Sequence, residues 1–153
     1  MDNIKIKGQV KLECFSKEGN FRWSTGWINN GITNAGFAQL ALLAGDASAT
    51  PFTYLAVGTD ATAFAASQTA LVAEVVDSGL ERASATVSRV TTTVTNDTLQ
   101  LTKTWTATGS KTIEEIGIFN ASSAGTMLGR ALTTSKALTS TDILVGTYKV
   151  KFA

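Results

Sequence analysis

Hydrophobic and polar residues alternate along most of this chain, which predicts strands rather than helices. In residues 4–14 the side chains are apolar at every second position, apart from Gly8, and polar in between. This period of two is typical of a strand with one buried face. The same pattern returns in residues 21–28 after a polar turn, so the two segments predict a hairpin. Further segments of strand character lie at residues 52–57, 82–94, 98–107, 113–120, 127–132 and 144–152.

One segment, residues 33–44, has the pattern of a helix. Thr33 is a suitable N-cap, since its hydroxyl can accept from the amides of the first turn, and Gly45 supplies a stop signal. Between these signals only Asn34 and Gln39 are polar. A helix without a polar face of normal width is expected to be mostly buried.

These elements predict a mainly β protein: an antiparallel β-sandwich or barrel with one short buried α-helix over about residues 33–44. A length of 153 residues is that of one ordinary domain, so residues 1–153 are predicted to form a single β-rich domain. Residues 1–15 are a candidate extended N-terminal strand or arm. Its apolar face needs a partner edge, either in the same subunit or on a neighbour.

Composition argues against several classes of function. Hydrophobic residues make up 44% of the chain, charged residues 16%, and the net charge is only +1, which gives no long-range field for nucleic acid. No apolar run reaches the 18 residues of a membrane helix, so no membrane partner is expected. With no histidine and one cysteine, the sequence predicts no catalytic set, no metal site and no cofactor, and therefore no enzyme.

The candidate partner contacts begin with two tryptophans in the second predicted strand. Trp23 and Trp27 are four residues apart, so on a strand they would share one face about 13 Å apart. Such a pair could offer two stacking platforms for sugars or bases. The alternative, that both fill the core or a subunit contact, is favoured because large aromatic side chains dominate both kinds of burial.

Lys5, Lys7 and Lys11 form a basic stripe on the polar side of the first predicted strand. Two interpretations of this stripe stay open: a contact with a partner and an ordinary solvated face. Residues 59–69 form a long Ala/Thr/Ser-rich loop in which Phe64 is the single large apolar residue. We expect such a loop to gain order only against a partner, with Phe64 as its anchor.

Four segments, in this order, carry a resemblance to a known group of proteins. They are NNGITNAG (29–36), YLAVGT (54–59), IEEIGIFN (113–120) and GTMLGR (125–130). Their succession resembles that of small structural proteins of tailed-bacteriophage virions, most closely the capsid decoration proteins. Tail-fibre and neck-associated proteins share similar segments.

The resemblance implies a β-rich subunit, commonly a homotrimer, that binds the outer capsid surface and stabilises the shell by clamping the major capsid protein. Such a protein is made in the host cytoplasm and resides in the virion. The group has no catalytic residues to carry over. Two alternatives stay open: a tail, neck or fibre-associated virion protein, or a carbohydrate- or receptor-binding module that uses its tryptophans.

Overall fold

A computed structural model describes residues 5–153 as two antiparallel sheets packed face to face, with one short helix. The prediction of a mainly β sandwich is therefore confirmed, and in the described residues the sheets do not close into a barrel. The elements in chain order are β1 (Lys7–Phe15), β2 (Phe21–Ser24), β3 (Ile28–Asn29), β4 (Gly31–Ile32), α1 (Asn34–Gly45), β5 (Tyr54–Gly58), β6 (Ala83–Ser84), β7 (Thr86–Val90), β8 (Thr98–Thr106), β9 (Lys111–Phe119), β10 (Met127–Leu138) and β11 (Ile143–Lys151).

The strands form a first sheet in the order β2-β1-β11-β8-β7, with β3 also paired to β1, and a second sheet in the order β4-β10-β9-β5-β6. Alternate residues of each strand point between the sheets and make one continuous core. Its members include Leu12, Leu55, Leu101, Ile116 and Tyr148.

The first strand lies inside its own sheet. β1 pairs with β11 over its whole length, from Lys7 opposite Lys151 to Phe15 opposite Ile143, while β2 and β3 cover its other edge. Residues 7–15 thus have partner edges within the subunit, which is the first of the two alternatives left open for this strand. Residues 1–4 of the candidate arm lie outside the described residues.

Gly8 is explained by the close approach of another side chain. The ladder runs through Gly8 without interruption. The side-chain amide of Asn30 occupies the space that a Cβ at residue 8 would fill, so any larger residue would displace it.

The helix forms where it is predicted, but it is not buried. The Thr33 hydroxyl accepts from the amide of Gly36 at 2.8 Å, which confirms the N-cap. Gly36 is the one buried residue of α1, whereas Phe37 and Leu42 are 48% and 49% exposed. A helix lying against one side of a sandwich can bury only one stripe, so the uniformly apolar sequence of α1 leaves apolar surface open.

We expect Leu12→Ala to lower the free energy of unfolding by about 2–5 kcal/mol, as usual for a fully buried leucine. Leu12 is 0% exposed, whereas Leu40 on α1 is only partly buried against the core. Leu40→Ala should therefore cost clearly less. Urea unfolding of both variants measures the difference, and equal losses would contradict the peripheral position of the helix.

Candidate functional site

Four lysines converge on the outer face of the first sheet. Lys7 and Lys11 lie on β1, and Lys149 and Lys151 lie on β11. The register places Lys7 opposite Lys151 and Gln9 opposite Lys149, so the period of two directs all four side chains to the same side. We call these four residues the lysine face.

Trp27 lies over the lysine face. Its ring centroid is 5.0 Å from Nζ of Lys11 and 4.7 Å from Nζ of Lys149, both within cation–π range. The ring is nevertheless 42% exposed. Lys11 also forms an ion pair with Glu13 at 3.3 Å. Trp27 is thus held in place by two cations while it keeps an accessible surface.

A depression of about 250 Å³ opens between the ends of β1, β8 and β11, and Lys149, which contacts the Trp27 ring, is part of its lining. Its lining includes Lys7, Gln9, Asn29, Thr98, Lys149 and Lys151. A second depression of about 440 Å³ shares Lys7, Gln9 and Asn29 with the first and extends towards Phe37 of the helix. The first depression is polar and basic, whereas the second also has Ile6, Ile32 and Phe37 in its lining.

Trp23 does not join this surface, and the prediction that the two tryptophans share a face is wrong. Trp23 lies opposite Cys14, whose side chain is buried in the core, and its indole N–H donates to the carbonyl of Ala137 at 2.9 Å. The strand breaks after β2, where Gly26 has φ 63°. This turn resets the alternation, so Trp27 emerges on the outer face.

Of the predicted lysine stripe, Lys7 and Lys11 lie on the lysine face, and Lys5 is exposed just before β1. The sequence pattern did not connect these residues with Lys149 and Lys151, because the pairing of the first strand with the last is not visible in a single sequence. The local signal that could have indicated them is that Lys149 and Lys151, two residues apart, fall on the same side of the last predicted strand. A partner role for Lys5, Lys7, Lys11, Trp23 and Trp27 stays a prediction.

The loop around Phe64 is organised within the subunit, which corrects the expectation that it orders only against a partner. Phe64 is half-buried, and its ring fills the space beside the Cα of Gly31. The amide of Asn34 donates to the carbonyl of Ala66 at 2.9 Å. Phe64 is thus an anchor to its own chain, and its candidate role as a partner contact stays untested.

A buried ion pair holds the same loop against the second sheet. Arg130 on β10 and Glu115 on β9 are both 0% exposed, and their Nε–Oε2 distance is 2.5 Å. Arg130 also donates to the carbonyls of Thr62 at 2.7 Å and Asp60 at 3.3 Å. Glu115 accepts from the amides of Val72 and Ala73, at 3.2 and 2.8 Å. The paired charges thus bind the backbone at the start of the loop and just after its end.

A second ion pair, between Arg82 and Glu74, continues this arrangement. The guanidinium donates to both carboxylate oxygens, at 2.8 and 2.6 Å, and lies 3.6 Å from the ring centroid of Phe119. Two-point pairing of this kind fixes geometry as well as charge. Both ion pairs lie on the outer side of the second sheet, so they organise the fold and do not belong to the lysine face.

Other kinds of site find less support in residues 5–153. Within this range no three His, Cys, Asp or Glu side chains come close enough to hold a metal ion. The one thiol, Cys14, is buried in the core, and burial, together with the charge of Asp142, raises its pKa to about 11. No helix of the described chain is long and apolar enough to cross a membrane.

The described residues define a class, a two-sheet antiparallel β-sandwich with one peripheral helix and an open basic face. The family model described as "Podophage GP4 fiber I protein gp80" matches residues 32–149, more than half of the chain. The chain belongs to this family, which supports a structural protein of a phage virion. The match does not support capsid decoration specifically. No curated protein and no solved structure matches the chain significantly.

We expect Glu115→Gln to destabilise the subunit by about 3–5 kcal/mol, because it leaves a buried arginine without its counter-charge. The change should also speed hydrogen exchange at the amides of Val72 and Ala73. Glu114→Gln is the matched control, since Glu114 is only partly buried and accepts from Ser135. Chemical unfolding and hydrogen-exchange mass spectrometry measure both effects. Equal losses in the two variants would contradict the role of the buried pair.

Proposed function

We propose that this protein is a non-enzymatic structural subunit of a phage fibre, located in the virion and assembled as a homo-oligomer, most simply a trimer. The observation that carries the proposal is the family match over residues 32–149. Because the family is described as a fibre protein, we favour a fibre-associated role over capsid decoration.

The exposed side of α1 supports assembly from several copies. The helix has no charged residue, and Phe37 and Leu42 are each about half exposed. A helix that is apolar on all sides is normally covered, either by a core or by a partner. Because the subunit covers only one stripe of α1, a second copy of the chain is the proposed cover for the rest.

An apolar hollow beside the helix extends this surface. It has a volume of about 460 Å³ and lies between α1 and the edge of the first sheet formed by β7 and β8. Its lining includes Leu40, Leu43, Pro51, Val87 and Phe152. Val87 and Phe152 are large and exposed, and β7 is an edge strand of its sheet. Apolar patches and open strand edges of this kind are typical of subunit contacts.

The place of the protein in the virion is tested by dissociating particles, separating heads from tails and fibres, and quantifying the chain in each fraction by mass spectrometry. We expect it in the tail and fibre fraction. Its recovery with heads alone would overturn the fibre proposal and favour binding to the major capsid protein.

Assembly is tested by light scattering on the purified full chain. The native protein should have a mass that is a multiple of the 16.0 kDa subunit, three times that value for a trimer. Leu42→Arg places a charge on the proposed contact and should shift the mass to one subunit.

Val76→Arg is the matched control, because Val76 is 78% exposed and lies away from α1 in the chain. This variant should keep the native mass, and circular dichroism should show that both variants are folded. A folded Leu42→Arg variant with the full oligomeric mass would contradict the role of the helix.

A further inference from the structure

We infer that the lysine face, together with Trp27, is a binding site for an acidic polysaccharide, a sugar chain that carries carboxylate groups. The inference depends on side chains in residues 5–153 and is independent of the place of the protein in the virion. It joins the lysine stripe and Trp27, which the sequence presents as separate candidates, into one site for one class of ligand.

The first argument is the unbalanced charge. Lys7 lies directly opposite Lys151, and side chains in such positions have Cβ atoms about 4.5–5.5 Å apart. Like charges at that separation destabilise a sheet. Within the described chain no carboxylate lies within ion-pair distance of Lys7, Lys149 or Lys151, and only Lys11 has an acidic partner. An anion from outside the subunit would relieve this repulsion.

Asp97 does not serve as the missing counter-charge. It precedes Thr98, which lies opposite Lys151. Its carboxylate, however, accepts from the backbone amides of residues 92, 93 and 94, each at 2.9 Å, and from the Thr98 hydroxyl at 2.8 Å. The Asp97 oxygens are thus already hydrogen-bonded within the turn that they organise, and the ammonium group of Lys151 is available to a ligand.

The second argument is the chemistry around the cations. Gln9 and Asn29 line the depression between the lysines, and their side-chain amides both donate and accept, as sugar hydroxyls require. Trp27 adds an exposed aromatic surface that can contact the apolar face of a sugar ring. Two depressions that share Lys7, Gln9 and Asn29 suit a chain of several sugar units better than a single small anion.

Nucleic acid fits this surface less well. The lysine face contains no arginine, the residue that recognises phosphate with two parallel hydrogen bonds. Strand binding also uses successive aromatic platforms for bases, whereas in the described chain Trp27 is the aromatic side chain that contacts these lysines.

The test is isothermal titration of the full chain with oligogalacturonate and with its fully methyl-esterified, neutral form. We expect the acidic form to bind and the esterified form not to bind. Binding should weaken as salt is raised, because the screening length falls from about 10 Å at 0.1 M to about 3 Å at 1 M. Lys7→Gln/Lys151→Gln should bind about tenfold more weakly, since it removes two charged hydrogen-bond donors.

The control Lys17→Gln/Lys136→Gln removes the same charge elsewhere and should keep the native affinity. Neither Lys7 nor Lys151 makes an ion pair in the described chain, so the double variant at the site should keep its native circular dichroism. The inference is overturned if oligogalacturonate does not bind, if the esterified form binds equally, or if both double variants lose the same affinity. Tighter binding of a thymidine oligonucleotide would also overturn it.

Discussion

The buried pair of Arg130 and Glu115 is the interaction on which the outer layer of the second sheet depends. Each charge is fully removed from water, and each is also used by loop backbone, the carbonyls of Asp60 and Thr62 and the amides of Val72 and Ala73. Isolated buried charges are very costly, so neither residue is tolerable without the other. The loop is consequently fixed by the same contacts that satisfy the pair.

This arrangement makes the two sides of the sandwich different. The segment that follows β5 covers the outer face of the second sheet, where Ala56, Phe119 and Met127 are buried beneath Leu71. No comparable segment covers the outer face of the first sheet in the described chain, and its lysines stay accessible around Trp27. The first sheet is therefore the side on which a ligand can meet an open, charged surface.

Sequence reasoning found those features that depend on local pattern. Alternation gave the sandwich class and most strands, and capping chemistry placed the helix start at Thr33. It failed where the answer depended on long-range pairing. Glu115 directly follows Glu114 in β9, but nothing local in the sequence shows that Arg130 forms an ion pair with Glu115. The turn at Gly26 likewise decides the side on which Trp27 lies, and one glycine in a strand pattern does not predict this.

The two surfaces assigned to partners meet at a single residue. Phe37 belongs to the exposed side of the helix and also lines the second depression, together with Lys7. Leu42 lies nearly one and a half helical turns after Phe37 and lines neither of the two depressions that include Lys7. A change at Phe37 would therefore disturb assembly and anion binding together, whereas a change at Leu42 reports on assembly alone. If subunits associate through α1, as proposed, the second depression ends at the contact between neighbours, because Phe37 is part of its lining. One long acidic chain would then contact two subunits and gain affinity by multivalency.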